Sequence, residues 1–556
     1  MIVQLPKLTL KALMQRSFTE YASLPALAFY DERPITYAQM QANIQELSQR
    51  LKALGLNKGD RIALLGENSP NWAIAYLTIT TAGWVVVPIL PGFTENDTRH
   101  IIRHAGCQAI FVSEKQRPKL EELESYPLNI LSLEDFSIED TAKTQPALYD
   151  KSRQKSRVVQ SEWPETAEED LAAIIYTSGT TGNSKGVMLS HRNIVYDVVH
   201  SIERFPITHQ DRFLSILPLS HAYETTGGML CPMAVGVSIY YLKGMPTPQK
   251  LLTGMEMVKP TGVLTVPLVV DKIYRKRILP KLQKSALMRR LYGMPFFRKR
   301  LHRLAGKKLL QSLGGSLRFF MFGGASLNLD VETFLQEAGI SYSSGYGMTE
   351  TSPIMTINPF GAVRVGSCGK PIPGIEMKIR NPHPQTGIGE IVVAGAIVMQ
   401  GYYNNPDATR ETIAEDGWLK TGDLGYFDEN GYLFIKGRSK NVIVGPSGEN
   451  IYPELIEQKL QQSPFVQEAV VYSHRGRLLA KVYLDPDALD QEMSSRQIEP
   501  AKSRLFIDSI LDETRKTTNQ ELPSFSHIAQ LLEQTEPFEK TPTNKVKRYL
   551  YIPQEE

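Results

Sequence analysis

From about residue 20 to residue 480, helical patterns alternate with short runs of β-branched and aromatic residues. No other feature of the chain restricts its fold as much. "RIALLGEN", "QAIFVSE", "LAAIIYTSG", "SLRFFMFGG" and "EIVVAGAIV" have strand length and are separated by helix-like stretches. Strands joined through helices need crossovers, so an α/β fold with parallel sheets flanked by helices is predicted. At 556 residues the chain exceeds one ordinary core, and two or more domains are expected. Residues 149–169, "YDKSRQKSRVVQSEWPETAEE", read as a polar surface connector. A second break falls at "IKGRSKNVIVGPSGENIYPELIE", where a Gly/Arg/Lys turn leads to a strand, a glycine-bearing loop and a helix started by Pro453. Residues 440–556 then suffice for a small α+β domain after a large one over 1–439.

One stretch tests whether the chain enters a membrane. "NWAIAYLTITTAGWVVVPIL", residues 71–90, carries no charge and approaches the roughly 20 residues of a bilayer span. Gly83 divides it into a helix-like half and a β-branched half, and three threonines and Pro88 weaken its hydropathy. A buried helix followed by a buried parallel strand explains it better. The first residues, "MIVQLPKLTLKALMQRSFTEY", lack an apolar core followed by a small-residue cleavage site, so no secretory signal is expected. Cys107, Cys231 and Cys368 lie far apart and suggest neither a metal site nor a disulfide framework. A reducing, cytoplasmic setting is the simplest reading.

The net charge is only +3, and no nucleic-acid partner is expected. Charge is nevertheless uneven: no acidic residue lies between Asp271 and Asp330, while residues 272–308 mix Arg and Lys with Leu, Ile, Tyr and Phe. Such a segment suits an anionic membrane surface or an acidic partner, which would place the protein peripherally at the inner face of a membrane. The alternative is a solvated helical pair covering the sheet.

"YTSGTTGNSKGVMLSH", residues 176–191, is the densest chemical signal. Backbone amides freed by Gly179 and Gly182, with hydroxyls of Thr177, Ser178, Thr180 and Thr181, can wrap phosphate oxygens, and Lys185 can add a compact charge. A nucleotide-hydrolysing P-loop needs Gly-Lys followed by Ser or Thr; here Ser184 precedes Lys185 and Gly186 follows it. A general kinase or ATPase is therefore not the reading.

This stretch closely resembles the phosphate loop of the adenylate-forming superfamily, the AMP-binding, acyl-activating enzymes. Further landmarks follow in order: "LPLSHAYE" with His221, "FGGAS" with Gly323, Gly324 and Ala325, "SSGYGMTETSP" with Tyr346, Gly347, Thr349 and Glu350, "GWLKTGDLG" with Asp423, "KGRSKNVI" with Arg438, and "TPTNKVKR" with Lys545. The resemblance implies a large layered α/β domain with a small barrel-like part, followed by a mobile lid. By the same resemblance, His221 borders the acyl site and the turn at Gly323 lies beside adenine. Tyr346 stacks near adenine, Thr349 contacts phosphate and Glu350 binds Mg²⁺. Asp423 and Arg438 hold ribose, Lys440 is the hinge, and Lys545 stabilises charge developing between carboxylate and α-phosphate. Where the family pattern has glycine before this lysine, Asn544 stands here, which leaves Lys540 as a competitor for the role. Read singly, His221 is equally an interior histidine, Asp423 a turn residue and Glu350 a solvated carboxylate.

Within the superfamily the motifs lean toward long-chain fatty acyl-CoA synthetases. The implied reaction uses ATP and Mg²⁺ to make an acyl adenylate, then passes the acyl group to coenzyme A. Two alternatives stay open: transfer to the phosphopantetheine of an acyl carrier protein, and a non-catalytic nucleotide-binding relative.

Overall fold

The computed structural model describes residues 3–123, 126–138, 165–177, 184–244, 246–445, 448–542 and 545–553. Two large sheets organise the first four hundred residues. One has seven strands in the order Gly401–Tyr402, Lys185–Ser190, Leu171–Thr177, Val85–Ile89, Arg61–Leu65, Ala109–Val112 and Asn129–Ser132. The other has nine, in the order Lys370–Pro371, Ile354–Ile357, Tyr342–Gly347, Phe319–Phe322, Gly262–Thr265, Arg212–Ser215, Ser238–Tyr241, Pro25–Phe29 and Ile35–Thr36. Central pairs in both are parallel, and antiparallel pairing is confined to the outer strands.

The uncharged stretch resolves into a helix, Pro70–Thr81, and a strand, Val85–Ile89. Ser69 caps the helix, its hydroxyl accepting the Trp72 N–H, and Pro70 occupies the first turn, where a missing N–H costs nothing. Gly83, at φ 83°, makes the reversal between them. Residues 72–81 are all buried because sheet and helices enclose the helix on every side, which explains its lack of charge. Among the described residues, no helix is long and apolar enough to cross a membrane.

"EIVVAGAIV" departs from the parallel expectation. Its strand, Gly389–Ala394, lies in a four-stranded antiparallel sheet with Glu376–Arg380, Leu419–Phe427 and Leu433–Arg438. Short connections join the first two strands and the last two, and such hairpins pair antiparallel; the longer link between Gly389–Ala394 and Leu419–Phe427 carries the strand Gly401–Tyr402 and the helix Pro406–Thr412. This sheet occupies the place of the small part expected to be barrel-like.

The last hundred residues form a small α+β unit. Val466–His474, Arg477–Leu484 and Gln530–Gln534 make its sheet, against which Pro453–Leu460 and Ser503–Gln520 pack. Its apolar core, including Ile456, Leu460, Val471, Ala480, Val482 and Ile510, draws no residue from before Ile443 among the described residues. Pro453 does start the helix. Of the polar connector, residues 149–164 lie outside the described residues.

Candidate active site

The glycine loop is held at both ends by an antiparallel pair. Thr177, last in Leu171–Thr177, stands opposite Lys185, first in Lys185–Ser190. Ser178, Gly179, Thr180, Thr181 and Gly182 lie outside the described residues. After Ser190, which forms a reciprocal cap with Asn193, the helix His191–Ile202 begins.

Glu350 sits in the short turn Thr349–Thr351 that follows Tyr342–Gly347. It is 9% exposed, and its Oε1 accepts the Tyr402 hydroxyl at 2.8 Å. The Lys185 ammonium lies 4.9 Å from the centre of the same Tyr402 ring. Tyr402 thus joins the loop lysine to the acidic turn. No sequence signal singles it out, because only the pairing of Gly401–Tyr402 with Val187 and Met188 brings it there.

Asp423 and Arg438 face each other across adjacent antiparallel strands. Arg438 Nε lies 3.1 Å from Asp423 Oδ1, and the Tyr346 hydroxyl donates to Asp423 Oδ2 at 2.7 Å. Each carboxylate oxygen keeps a second lone pair, so two further donors can be accepted. Burial, followed by the Asp423 charge, pushes the Tyr346 phenol well above its ordinary range, so it remains a donor.

Beside Tyr346 and Thr349 lies a cleft of about 550 Å³, counting its open mouth. Phe205, Met321, Ile354 and Ile357 give it an apolar wall; His221, Gly323, Gly324, Tyr346, Gly347 and Thr349 also line it. Ala325 follows, exposed, in the turn after Phe319–Phe322. Gly347 is required by packing: a Cβ there would meet the Pro353 carbonyl oxygen at 1.8 Å. His221 Nδ1 accepts the Tyr223 N–H at 3.3 Å, which leaves the proton on Nε2. Burial, with a smaller push from Lys545, lowers the His221 pKa to about 4, so the ring is neutral near pH 7.

Lys545 is electrostatically coupled to His221, Arg438, Asp423 and Glu350 although they lie more than a hundred residues away in sequence. A hairpin holds it: the Thr541 N–H donates to the Lys545 carbonyl at 2.8 Å, and the Lys547 N–H to the Glu539 carbonyl at 2.9 Å. Lys545 keeps exposed surface, yet the protein crowding its ammonium lowers its pKa. Arg438 acts in the same direction; Asp423 and Glu350 oppose it. Lys540 is ion-paired with Glu468 inside the small unit, so its charge is already taken up there. Asn544 lies outside the described residues. Lys440, in the turn Ser439–Asn441, also has a lowered pKa, from burial and then from Arg438 and Lys185.

Contacts at two places seat the small unit in this orientation. Gly92 lies against Pro542, beside the lysine hairpin. Lys276 of the basic segment lies 3.0 Å from Asp485 and 3.1 Å from Asp487, and Arg275 Nη1 donates to the Gln462 carbonyl at 3.3 Å. Part of the basic segment therefore contacts this chain's own small unit, a role its sequence does not announce.

An apolar-walled cleft, with the Asp423–Arg438 pair bonded to its Tyr346 and Glu350 following its Thr349, suits an acyl-activating, AMP-forming ligase, and comparison with known proteins shows that class. Residues 14–403 match the family described as AMP-binding enzyme, and the chain belongs to that family. It is 28% identical to the chloroplastic long-chain-fatty-acid–[acyl-carrier-protein] ligase AEE15 of Arabidopsis thaliana, over 94% of this chain and 82% of that one. It is 30% identical to the peroxisomal long chain acyl-CoA synthetase 6 of the same plant, over 93% of this chain and 80% of that one. The fold is shared with o-succinylbenzoate coenzyme A synthetase from Bacillus subtilis, solved with ATP and magnesium: TM-score 0.73, 22% identity, covering 97% of this chain and 98% of that one.

The donor chemistry at Glu350 fits magnesium. Its Oε2 has no hydrogen-bond partner among the described residues, and Mg²⁺ bound with a nucleotide needs only one or two carboxylates beside phosphate and water.

Proposed function

We propose that the chain activates a long-chain fatty acid and transfers the acyl group to coenzyme A. The observation that carries this reading is the apolar cleft lined by His221, Tyr346 and Thr349, whose Tyr346 hydroxyl donates to Asp423, itself paired with Arg438. In the first step a carboxylate oxygen forms a bond to the α-phosphorus of ATP, and the α–β bridging bond breaks to release pyrophosphate. Both reactants are anions, so the step depends on fixed positive charge and on alignment. Lys185 and the loop 178–182 hold the departing phosphates, with Thr349 beside them. Asp423 and Arg438 hold the ribose hydroxyls, while Gly323, Gly324, Ala325, Tyr346 and Gly347 border the adenine. Lys545 stabilises charge between the carboxylate and the α-phosphate, and neutral His221 donates from Nε2 toward the acyl group. Glu350 would hold Mg²⁺, which supplies charge neutralisation on the phosphates when bound.

In the second step a thiolate forms the C–S bond and AMP leaves. Residues 440–556 rotate about Lys440 to withdraw Lys545 and admit the thiol. The long acyl chain is supported by the relatives' names and by the apolar wall. A second reading, transfer to the phosphopantetheine of an acyl carrier protein, is favoured by the acceptor named for AEE15. Pyrophosphate release would be measured with acetate, octanoate, laurate, palmitate and benzoate, each with coenzyme A, with holo-carrier protein, or with neither. Turnover with laurate and palmitate only in the presence of coenzyme A is expected. Turnover only with carrier protein selects the second reading, and silence with every acid despite ATP binding returns the chain to the non-catalytic reading.

A further inference from the structure

The basic segment divides into two parts with different fates. At its root, Arg275 pairs with Asp271 and Asp330, Lys276 with Asp485 and Asp487, and Arg298 with Glu337. Farther out, the helix Ala286–Tyr292 has no buried residue. The helix Pro295–Ser312 buries only His302, Gly306 and Leu309, a stripe at i, i+4 and i+7. That stripe is seated by Gly306 against Ala338, where an added Cβ would come within 2.6 Å of the Ala338 Cβ.

The remainder of both helices presents cations and large apolar side chains together. Lys284, Arg289, Arg290, Lys299, Arg300 and Arg303 are exposed and have no carboxylate partner among the described residues. Among them, Leu287 is 68% exposed, Phe296 67% and Leu304 63%. Phe297 is also exposed, edge-on to Phe296, and the Arg300 guanidinium lies 5.6 Å from the Phe296 ring centre. Unpaired like charges repel and exposed aromatic rings forgo burial, so a surface carrying both is satisfied only by a partner that is anionic and apolar.

We infer that this helix pair, residues 284–304, docks the protein on an anionic lipid bilayer. Phe296 and Phe297 enter the interface, and Arg289, Arg290, Lys299 and Arg300 meet lipid phosphates. A bilayer satisfies both features: cations remain at headgroup level while the rings pass beneath them. An acidic helix without an apolar face would neutralise the cations but leave the rings in water. The surface is separate from the catalytic cleft and does not depend on which thiol accepts the acyl group.

The test is co-sedimentation of the full chain with vesicles of phosphatidylcholine alone and of phosphatidylcholine with phosphatidylglycerol in equal parts, at low and high salt. Binding is expected only to the anionic vesicles, weakening as salt rises. The double variants Phe296→Ser/Phe297→Ser and Arg289→Ala/Arg290→Ala should each bind roughly tenfold more weakly. Unchanged thermal transitions and unchanged nucleotide binding would show that both variants fold. Equal partition to neutral and anionic vesicles, or undiminished binding by the correctly folded variants, would overturn the assignment. So would capture of an acidic carrier protein through these residues without vesicle binding.

Discussion

The Tyr402 hydroxyl donates to Glu350 Oε1 at 2.8 Å, while the face of the same ring receives Lys185 at 4.9 Å. One residue from a two-residue strand therefore contacts both the acidic turn and the lysine that follows the glycine-rich stretch. Tyr402→Phe keeps the ring and removes the hydroxyl from a buried carboxylate. A hydrogen bond to a charged acceptor contributes about 1.5–3 kcal/mol, so acid-dependent pyrophosphate release should fall roughly tenfold or more. Titrating Mg²⁺ in both proteins checks it: a shifted Mg²⁺ requirement is expected, and an identical requirement would separate Tyr402 from Glu350.

Lys545 and Lys540 should part company in half-reactions. Lys545→Ala is expected to slow adenylate formation by about 10²–10³. Thioester formation from supplied acyl adenylate should be spared. Lys540→Ala breaks the pair with Glu468 and should lower the thermal transition while leaving adenylation close to normal. The pH profile carries a further sign. Crowding and Arg438 depress the Lys545 pKa, so its charge is present at low pH and lost as pH rises, earlier than for an ordinary lysine. The alkaline limb of adenylation should lie below the usual lysine range, and replacement by arginine should push that limb upward.

Lys276 ties the small unit to the large one through ion pairs with Asp485 and Asp487, so in the proposed lid motion it should favour the orientation seen here. Solvent-exposed pairs contribute about 0.2–1 kcal/mol, so Lys276→Ala should shift the closed population by roughly two- to fivefold. Lys276→Glu, which faces Asp485 and Asp487, should do more. Fluorophores on the large and small units would report this as reduced transfer efficiency, and raised salt should reproduce part of the effect in the unmodified protein.

Glu224 is fully buried, accepts the Ser215 hydroxyl at 2.6 Å on Oε1, and has no partner for Oε2 among the described residues. Burial raises its pKa to about 8, above the unfolded value near 4.3. Between those values the folded state holds a proton that the unfolded state has released. Stability from this residue is therefore full below the unfolded value and declines as pH rises through about 8. Glu224→Gln should flatten that decline, as measured by denaturant midpoints across the range. A slope identical to that of the native protein would remove Glu224 as its source.

Much of this molecule is legible in the chain because local rules and tertiary demands agree. Residues 71–90 contain a helix cap, a proline at the first turn, a positive-φ glycine and β-branched residues, and each predicts the element observed. The motif residues stand out by type and spacing, and the roles given to them are those proposed above. The sequence by itself thus determined the alternation of elements and singled out Tyr346, Glu350, Asp423, Arg438 and Lys545 as candidates. Tertiary structure alone decided their partners. Tyr402 reaches Glu350 through a strand pairing with no local signature, Lys540 is drawn to Glu468 while Lys545 turns to the cleft, and Lys276 meets two aspartates more than two hundred residues away. Periodicity and capping act over one or two turns of chain, whereas these partnerships depend on how independently formed elements come to lie in space.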